Sequence, residues 1–189
     1  MKKSLIAAAL LAAATLSQAA PATYAIDPTH TFVTYEIQHF GTSMNRGRFD
    51  KKEGSVTLDT AAKSGKVEIS FELGAVNTGV AAMDKHLKSK DFFEAETYPT
   101  ATFVGDKFTF DGDKVKSVTG TLTLKGKTAP LTLNASHFAC YDHPMLKRQV
   151  CGGDFTADLD RTVYGIDYGL AYGFPKIVHL LIQVEAIKQ

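Results

Sequence analysis

The side chains able to do chemistry are scattered along this 189-residue chain, and the spacing they lack is informative. Six histidines are present: His30, His39, His86, His137, His143 and His179. None forms a His-x-x-x-His pair or a Glu-bearing zinc helix, and no Cys-x-x-Cys-His offers covalent haem attachment. They read as structural or solvated histidines, so no metal site is expected. Nucleophilic catalysis has less support still, because there is no Gly-x-Ser-x-Gly elbow and the only two cysteines, Cys140 and Cys151, are spaced for each other. Asp84 and His86 look like half of an acid–base pair, yet positions two apart on a helix point to different sides; local capping or pairing by Asp84 is the simpler reading. Leu124-Lys125-Gly126-Lys127-Thr128 resembles the tail of a phosphate-binding loop, but Thr121 stands where the first glycine is needed and the segment joins strand to strand. It is a hairpin turn. No catalytic residue and no catalytic cofactor are expected.

The elements that would position any site are mostly strands. One stretch stands apart: from Gly79 to Lys88 the pattern is helical, with Met83 and Leu87 at i and i+4, Ala82 and His86 beside them, and Asp84 placed to pair with Lys88. Phe92 and Phe93 follow, and Tyr98-Pro99 stops any helix. A single amphipathic insert in an alternating chain needs an apolar surface to cover, which predicts a lid across an open end of a sheet.

Everywhere else the period is two. Val33, Tyr35, Ile37 and His39 share one face; Phe49, Val56 and Leu58 follow; then Val67, Ile69, Phe71, Leu73 and Ala75 alternate with Glu68, Ser70 and Glu72. Tyr24 to His30 is a short extended piece ending in an Asp-Pro turn. Thr102 to Asp111 reads as a hairpin turning near Gly105-Asp106, and Asp111-Gly112-Asp113 as the next turn. Leu122 and Leu124, then Leu131 and Leu133, then Phe155, Ala157 and Leu159, and finally Val178, Leu180, Ile182, Val184 and Ala186 complete the apolar faces. Gly165, Gly169 and Gly173, each after a tyrosine (Tyr164, Tyr168, Tyr172), predict a bent strand at a rim, with tyrosines at a pocket mouth. Eight or nine strands result. A twisted antiparallel sheet of that size splits into a sandwich or closes. Alternation alone does not separate the two; the single lid, the long strands and the scarcity of polar residues on the apolar faces favour an eight-stranded antiparallel barrel able to hold one slender ligand.

The chain opens with Met1-Lys2-Lys3, an apolar run from Leu5 to Leu16, and Ser17 and Ala19 as small residues before a cut, the pattern of a secretory signal peptide over 1–19. Residues 20–189 then form one soluble domain in the periplasm. Without Lys2 and Lys3 the balance of 21 basic against 20 acidic residues becomes 19 against 20, with no basic cluster, so nucleic acid and anionic membranes are poor partners. In an exported chain, Cys140 and Cys151 are expected to form a disulfide that pins a short loop.

With these readings in place, the residues resemble the YceI-like family, secreted lipocalin-like proteins that bind polyisoprenoid lipids. The resemblance rests on Tyr24-x-Ile26-Asp27-Pro28-x-His30, His39-x-Gly41, Gly47-x-Phe49, Asp84-x-His86-Leu87-Lys88-Ser89, Asp91-Phe92-Phe93 and Tyr98-Pro99-x-Ala101-x-Phe103, and continues through Gly120-x-Leu122-Thr123, Gly126-x-Thr128-x-Pro130 and Arg161-x-x-Tyr164-Gly165. Tyr164 stands where the family typically has Phe or Trp. The resemblance implies an apolar tunnel and a bound isoprenoid, such as a ubiquinone-type quinone or polyprenyl lipid, held as carrier or store without enzymatic activity. Tyr35, Ile37, His39, Phe49, Phe71, Leu87, Phe92, Phe93, Phe103, Leu122, Leu133, Phe155, Tyr164 and Leu180 are the expected ligand-binding residues. Expected partners are the lipid and a membrane protein that donates or accepts it, with the chain a monomer or homodimer. The competing readings are an enzyme or electron-transfer accessory using a quinone-type lipid, and a stress-related structural protein with incidental lipid.

Overall fold

The structure, a computed structural model, describes residues 21–189; the expected signal peptide lies outside them. The elements in chain order are β1 (Ala22–Ile26), β2 (Phe32–His39), β3 (Ser43–Phe49), β4 (Lys52–Asp59), β5 (Ser64–Glu72), β6 (Val76–Asn77), α1 (Ala81–Lys88), β7 (Thr100–Asp111), β8 (Lys114–Leu124), β9 (Lys127–Asp142), β10 (Gln149–Asp160) and β11 (Ile177–Lys188). Every pairing between them is antiparallel. The eight strands β1-β4-β5-β7-β8-β9-β10-β11 form a barrel that closes through β1 on β11. The remaining three strands extend the wall at one end. β2 continues β1, β3 continues β4, and β6 continues β5, each past an elbow.

The elbows lie on neighbouring strands and are tied to one another. The N–H of Asp50 donates to the carbonyl of Ala75, that of Glu72 to Lys51, and that of Leu73 to Pro99. At the first elbow β11 passes from β2, which it pairs up to Gln183, to β1, which it pairs from Ala186. The rung between them is made by a side chain: the buried Thr31 hydroxyl donates to the Glu185 carbonyl at 3.1 Å and accepts from the Glu185 N–H at 3.2 Å. A threonine can fill both roles because its hydroxyl is donor and acceptor at once.

Two sequence expectations are corrected. Thr102 to Asp111 is one strand, not a hairpin; its register against β8 slips between Gly105 and Lys107. The bulge inserts one residue and switches the inward parity from Ala101 and Phe103 to Phe108 and Phe110, so the polar Gly105-Asp106 step that suggests a turn is a bulge. The Tyr-Gly repeat is not a strand either. Gly165, Gly169 and Gly173 flank the 3-10 turns Arg161–Tyr164 and Leu170–Tyr172, all three with φ between 70° and 90°. That left-handed backbone suits glycine at a helix end.

Lys125 and Gly126, with φ of 50° and 70°, make the tight turn joining β8 to β9. The cysteines are bonded, Cys140 to Cys151, with Cα atoms 4.0 Å apart. They face each other directly on β9 and β10, so the bond staples two strands near their shared loop instead of closing a free loop.

Candidate functional site

Alternation sends one set of side chains from every strand into the barrel. These side chains leave a file of three adjoining spaces. The mouth, about 570 Å³, lies between α1, the tip of the β2–β3 hairpin and the 161–176 loop. Below it an inner chamber of about 140 Å³ is walled by β2, β3, β5, β7, β8, β9, β10 and β11. A lower space of about 70 Å³ reaches the end of the barrel stapled by the disulfide, with Cys151 in its wall. Tyr35, Ile37, Leu87, Phe92 and Arg161 stand in the walls of both mouth and chamber, and Ile69, Leu133 and Ile182 in those of both chamber and lower space. The three spaces therefore adjoin one another along the barrel.

Most expected ligand-binding residues come together in the chamber: Tyr35, Ile37, Phe49, Phe71, Leu87, Phe92, Phe93, Phe103, Leu122, Leu133 and Leu180. His39 stands in the mouth, and Phe155 in the lower space. Phe49 organises the chamber, with ring centroids 4.7 Å from Phe71, 5.6 Å from Phe93 and 6.3 Å from Tyr35. These tilted contacts are the favourable geometry for aromatic pairs. Tyr35 lies across Gly47 on the neighbouring strand; a Cβ there would come within 2.4 Å of the Tyr35 hydroxyl.

Tyr164 is the exception. It is 1% exposed and packs in the core outside all three spaces, while Tyr172 is 72% exposed. Of the three tyrosines it is Tyr168 that lines the mouth, its ring centroid 4.9 Å from that of His86, edge to face, and 5.1 Å from that of Phe92, tilted. Facing it, Phe174 packs 5.2 Å from His39 and 4.6 Å from Phe40. Equal spacing along the chain does not give equal burial once 3-10 turns replace a strand. Phe174 escaped the sequence reading, and Arg161 entered it only as part of a motif, not as a site residue; no periodicity marks a loop residue that folds back over the barrel.

No Asp or Glu lines the mouth or the two inner spaces, whereas Arg46, Arg161, His39, His86 and Asn45 line the mouth and Arg161 alone brings charge to the chamber. Burial, with some help from the Asp84 charge, pushes the Tyr35 pKa up to about 12, so its hydroxyl keeps its proton. Arg161 is 3% exposed and ties down the loop that carries Tyr168 and Phe174: Nε donates to Pro175 O at 2.9 Å, and Nη1 to Ile166 O and Tyr168 O, both at 2.8 Å. Burial lowers its pKa, but a guanidinium stays charged in any protein. Among the described residues no three His, Cys, Asp or Glu side chains gather to hold a metal.

A YceI-like domain is recognised over residues 24–186. The chain belongs to the YceI-like family. That span runs from Tyr24 to Ala186 and includes every residue that walls the three spaces. The chain is 37% identical to the UPF0312 protein of Pseudomonas aeruginosa (strain LESB58) over an alignment of 193 residues that covers all of both chains. Its fold is similar to that of Burkholderia cenocepacia BcnA, with a TM-score of 0.70 at 23% identity, covering 85% of this chain and 99% of that one. It is also similar to a polyisoprenoid binding domain from Saccharophagus degradans, with a TM-score of 0.60 at 18% identity, covering 88% of this chain and 98% of the other.

Proposed function

We propose that this protein is a periplasmic carrier or store for an isoprenoid lipid, quinone-type or polyprenyl, whose tail lies along the barrel and whose polar end stays near the mouth. It acts by binding and not by catalysis. The observation that supports this reading is the file of three adjoining spaces, apolar except at its upper end, which suits an elongated hydrocarbon tail. The polyisoprenoid binding of the Saccharophagus degradans domain gives the tail its chemical class. Membership of the YceI-like family agrees with it.

Energetics favour a carrier or store over a trap. At about 0.8 kcal/mol per methylene, transfer of a long prenyl tail out of water would exceed the practical ceiling of about 20 kcal/mol on non-covalent affinity. The real competitor is the membrane, where the tail is already buried. Net transfer from bilayer to barrel is thus near balance, which permits loading and release. The test is to purify the exported protein from its native host, extract it with organic solvent and analyse the extract by mass spectrometry. An isoprenoid close to one per chain is expected; protein that is empty, or that carries only bulk phospholipid, overturns the reading. Cell fractionation of the same culture checks the compartment.

A further inference from the structure

Arg161 has one nitrogen left over. Nε and Nη1 are spent on three backbone carbonyls, while Nη2 is buried and finds no acceptor among the described residues. No ion pair joins the guanidinium to a carboxylate among those residues; Asp160, beside it in sequence, takes hydrogen bonds from Thr162 and lies 3.5 Å from Lys176. A buried donor without an acceptor is costly, more so on a charged group, so native proteins rarely leave one unexplained. At 3% exposure the missing acceptor does not come from bulk water over the outer surface. Arg161 does, however, line both the mouth and the chamber, as Tyr35 does.

We propose that Arg161 Nη2 is the headgroup anchor of the barrel, donating to an acceptor oxygen of the bound lipid where the mouth narrows into the chamber. The ligand is then an isoprenoid ending in a quinone carbonyl or a phosphate, not a hydrocarbon. This rests on the lipid-binding reading and sharpens it. The surroundings suit such an oxygen: the wall includes the protonated Tyr35 hydroxyl as a second donor and no Asp or Glu lines it, the carboxylates whose charges act on these two groups being Asp167 and Asp160 on Arg161 and Asp84 on Tyr35. A guanidinium already held by three carbonyls presents its last N–H groups in a fixed direction, so little freedom is lost on binding.

The test uses delipidated full-length mature protein and three probes in detergent: a geranylgeranyl-tailed quinone, geranylgeranyl phosphate and the hydrocarbon squalene. The wild-type chain should prefer at least one oxygen-bearing probe over squalene by roughly tenfold or more, as expected for a hydrogen bond to a charged donor. NMR of nitrogen-15-labelled arginine should show the Arg161 Nη2 signal moving with that probe and staying put with squalene. Whichever of quinone and phosphate binds more tightly identifies the headgroup. Arg161→Lys should bring the oxygen-bearing probe down to the squalene level; because it also releases loop carbonyls, the wild-type preference and the NMR shift decide the matter if it misfolds. Equal binding of all three probes, with Arg161 undisturbed, overturns the anchor while leaving the lipid tunnel standing. Failure of every probe, squalene included, removes the tunnel reading itself and the anchor with it.

Discussion

Phe71 lies in the chamber wall, half-buried and packed on Phe49, and its substitution separates a tunnel from an ordinary core. In a filled core, Phe71→Trp overpacks and costs about 1–3 kcal/mol. In a tunnel the larger ring takes space from the ligand, so the fold should lose less than about 1 kcal/mol while lipid recovered by extraction drops several-fold. Gly47→Ala, on β3, is the companion, because a Cβ 2.4 Å from the Tyr35 hydroxyl must push that ring aside. Thermal melts and extracted lipid measured together check both; strong destabilisation with unchanged lipid means the interior is core. At this scale the sequence was informative wherever strand alternation held, which is why Tyr35, Phe49, Phe71 and Leu180 were visible as one face. Arg161 was visible only as part of a motif. Its work depends on carbonyls of Ile166, Tyr168 and Pro175 that a loop brings back to it, and nothing in local spacing encodes that return.

Among the elements, α1 was legible and the loop opposite it was not. The helix has the expected buried Leu87, with Met83 more exposed at the mouth, and Asp84 serves it locally as expected: its carboxylate accepts from both the N–H and the hydroxyl of Thr78, each at 2.7 Å. That pair of bonds ties the helix to the strand end before it, much as a capping residue does. α1 touches the two-residue strand β6, the segment that follows it and, through His86, Tyr168 of the facing loop, and borders the mouth, which makes it a gate drawn from the less stable part of the structure. Amide exchange over 79–93 should be faster than over β5 in the lipid-free protein and should slow when lipid is added. Asp84→Ala should cost about 1 kcal/mol and speed both exchange in α1 and transfer of lipid to vesicles. Equal protection with and without lipid would mark α1 as fixed scaffold. The facing loop was misread because its tyrosines suggested a strand, whereas left-handed glycines set its course.

For the whole molecule the decisive feature is closure, and closure was the one thing alternation could not settle between barrel and sandwich. It depends on three bent strands, and the bend nearest the seam is controlled by Asp27. One carboxylate oxygen accepts from the Thr29 N–H and hydroxyl at 2.8 and 2.6 Å, the other meets His30 Nδ1 at 2.7 Å, and the Asp27 N–H donates to the same Glu185 whose backbone Thr31 bridges. Partial burial alone would raise the Asp27 pKa, but the bonds from His30 and Thr29 outweigh it and hold the group at about 2, while His30 is raised by Asp27. The signs follow from linkage. The depressed carboxylate adds stability that is complete above its ordinary value of 3.8 and is lost as pH falls towards 2; the raised histidine adds stability that is complete below 6.5 and fades as pH rises through its folded value. Both contributions are complete together only between those two ordinary values. Both groups are partly or largely solvent-exposed, so screening keeps the effect modest. Thermal melts across this range should show Asp27→Asn lowering Tm most at mildly acidic pH, with the difference from wild type shrinking towards pH 2. A difference independent of pH would mean that the bend is held by the Thr31 bridge and the backbone alone, and that the carboxylate takes no part in keeping the barrel shut.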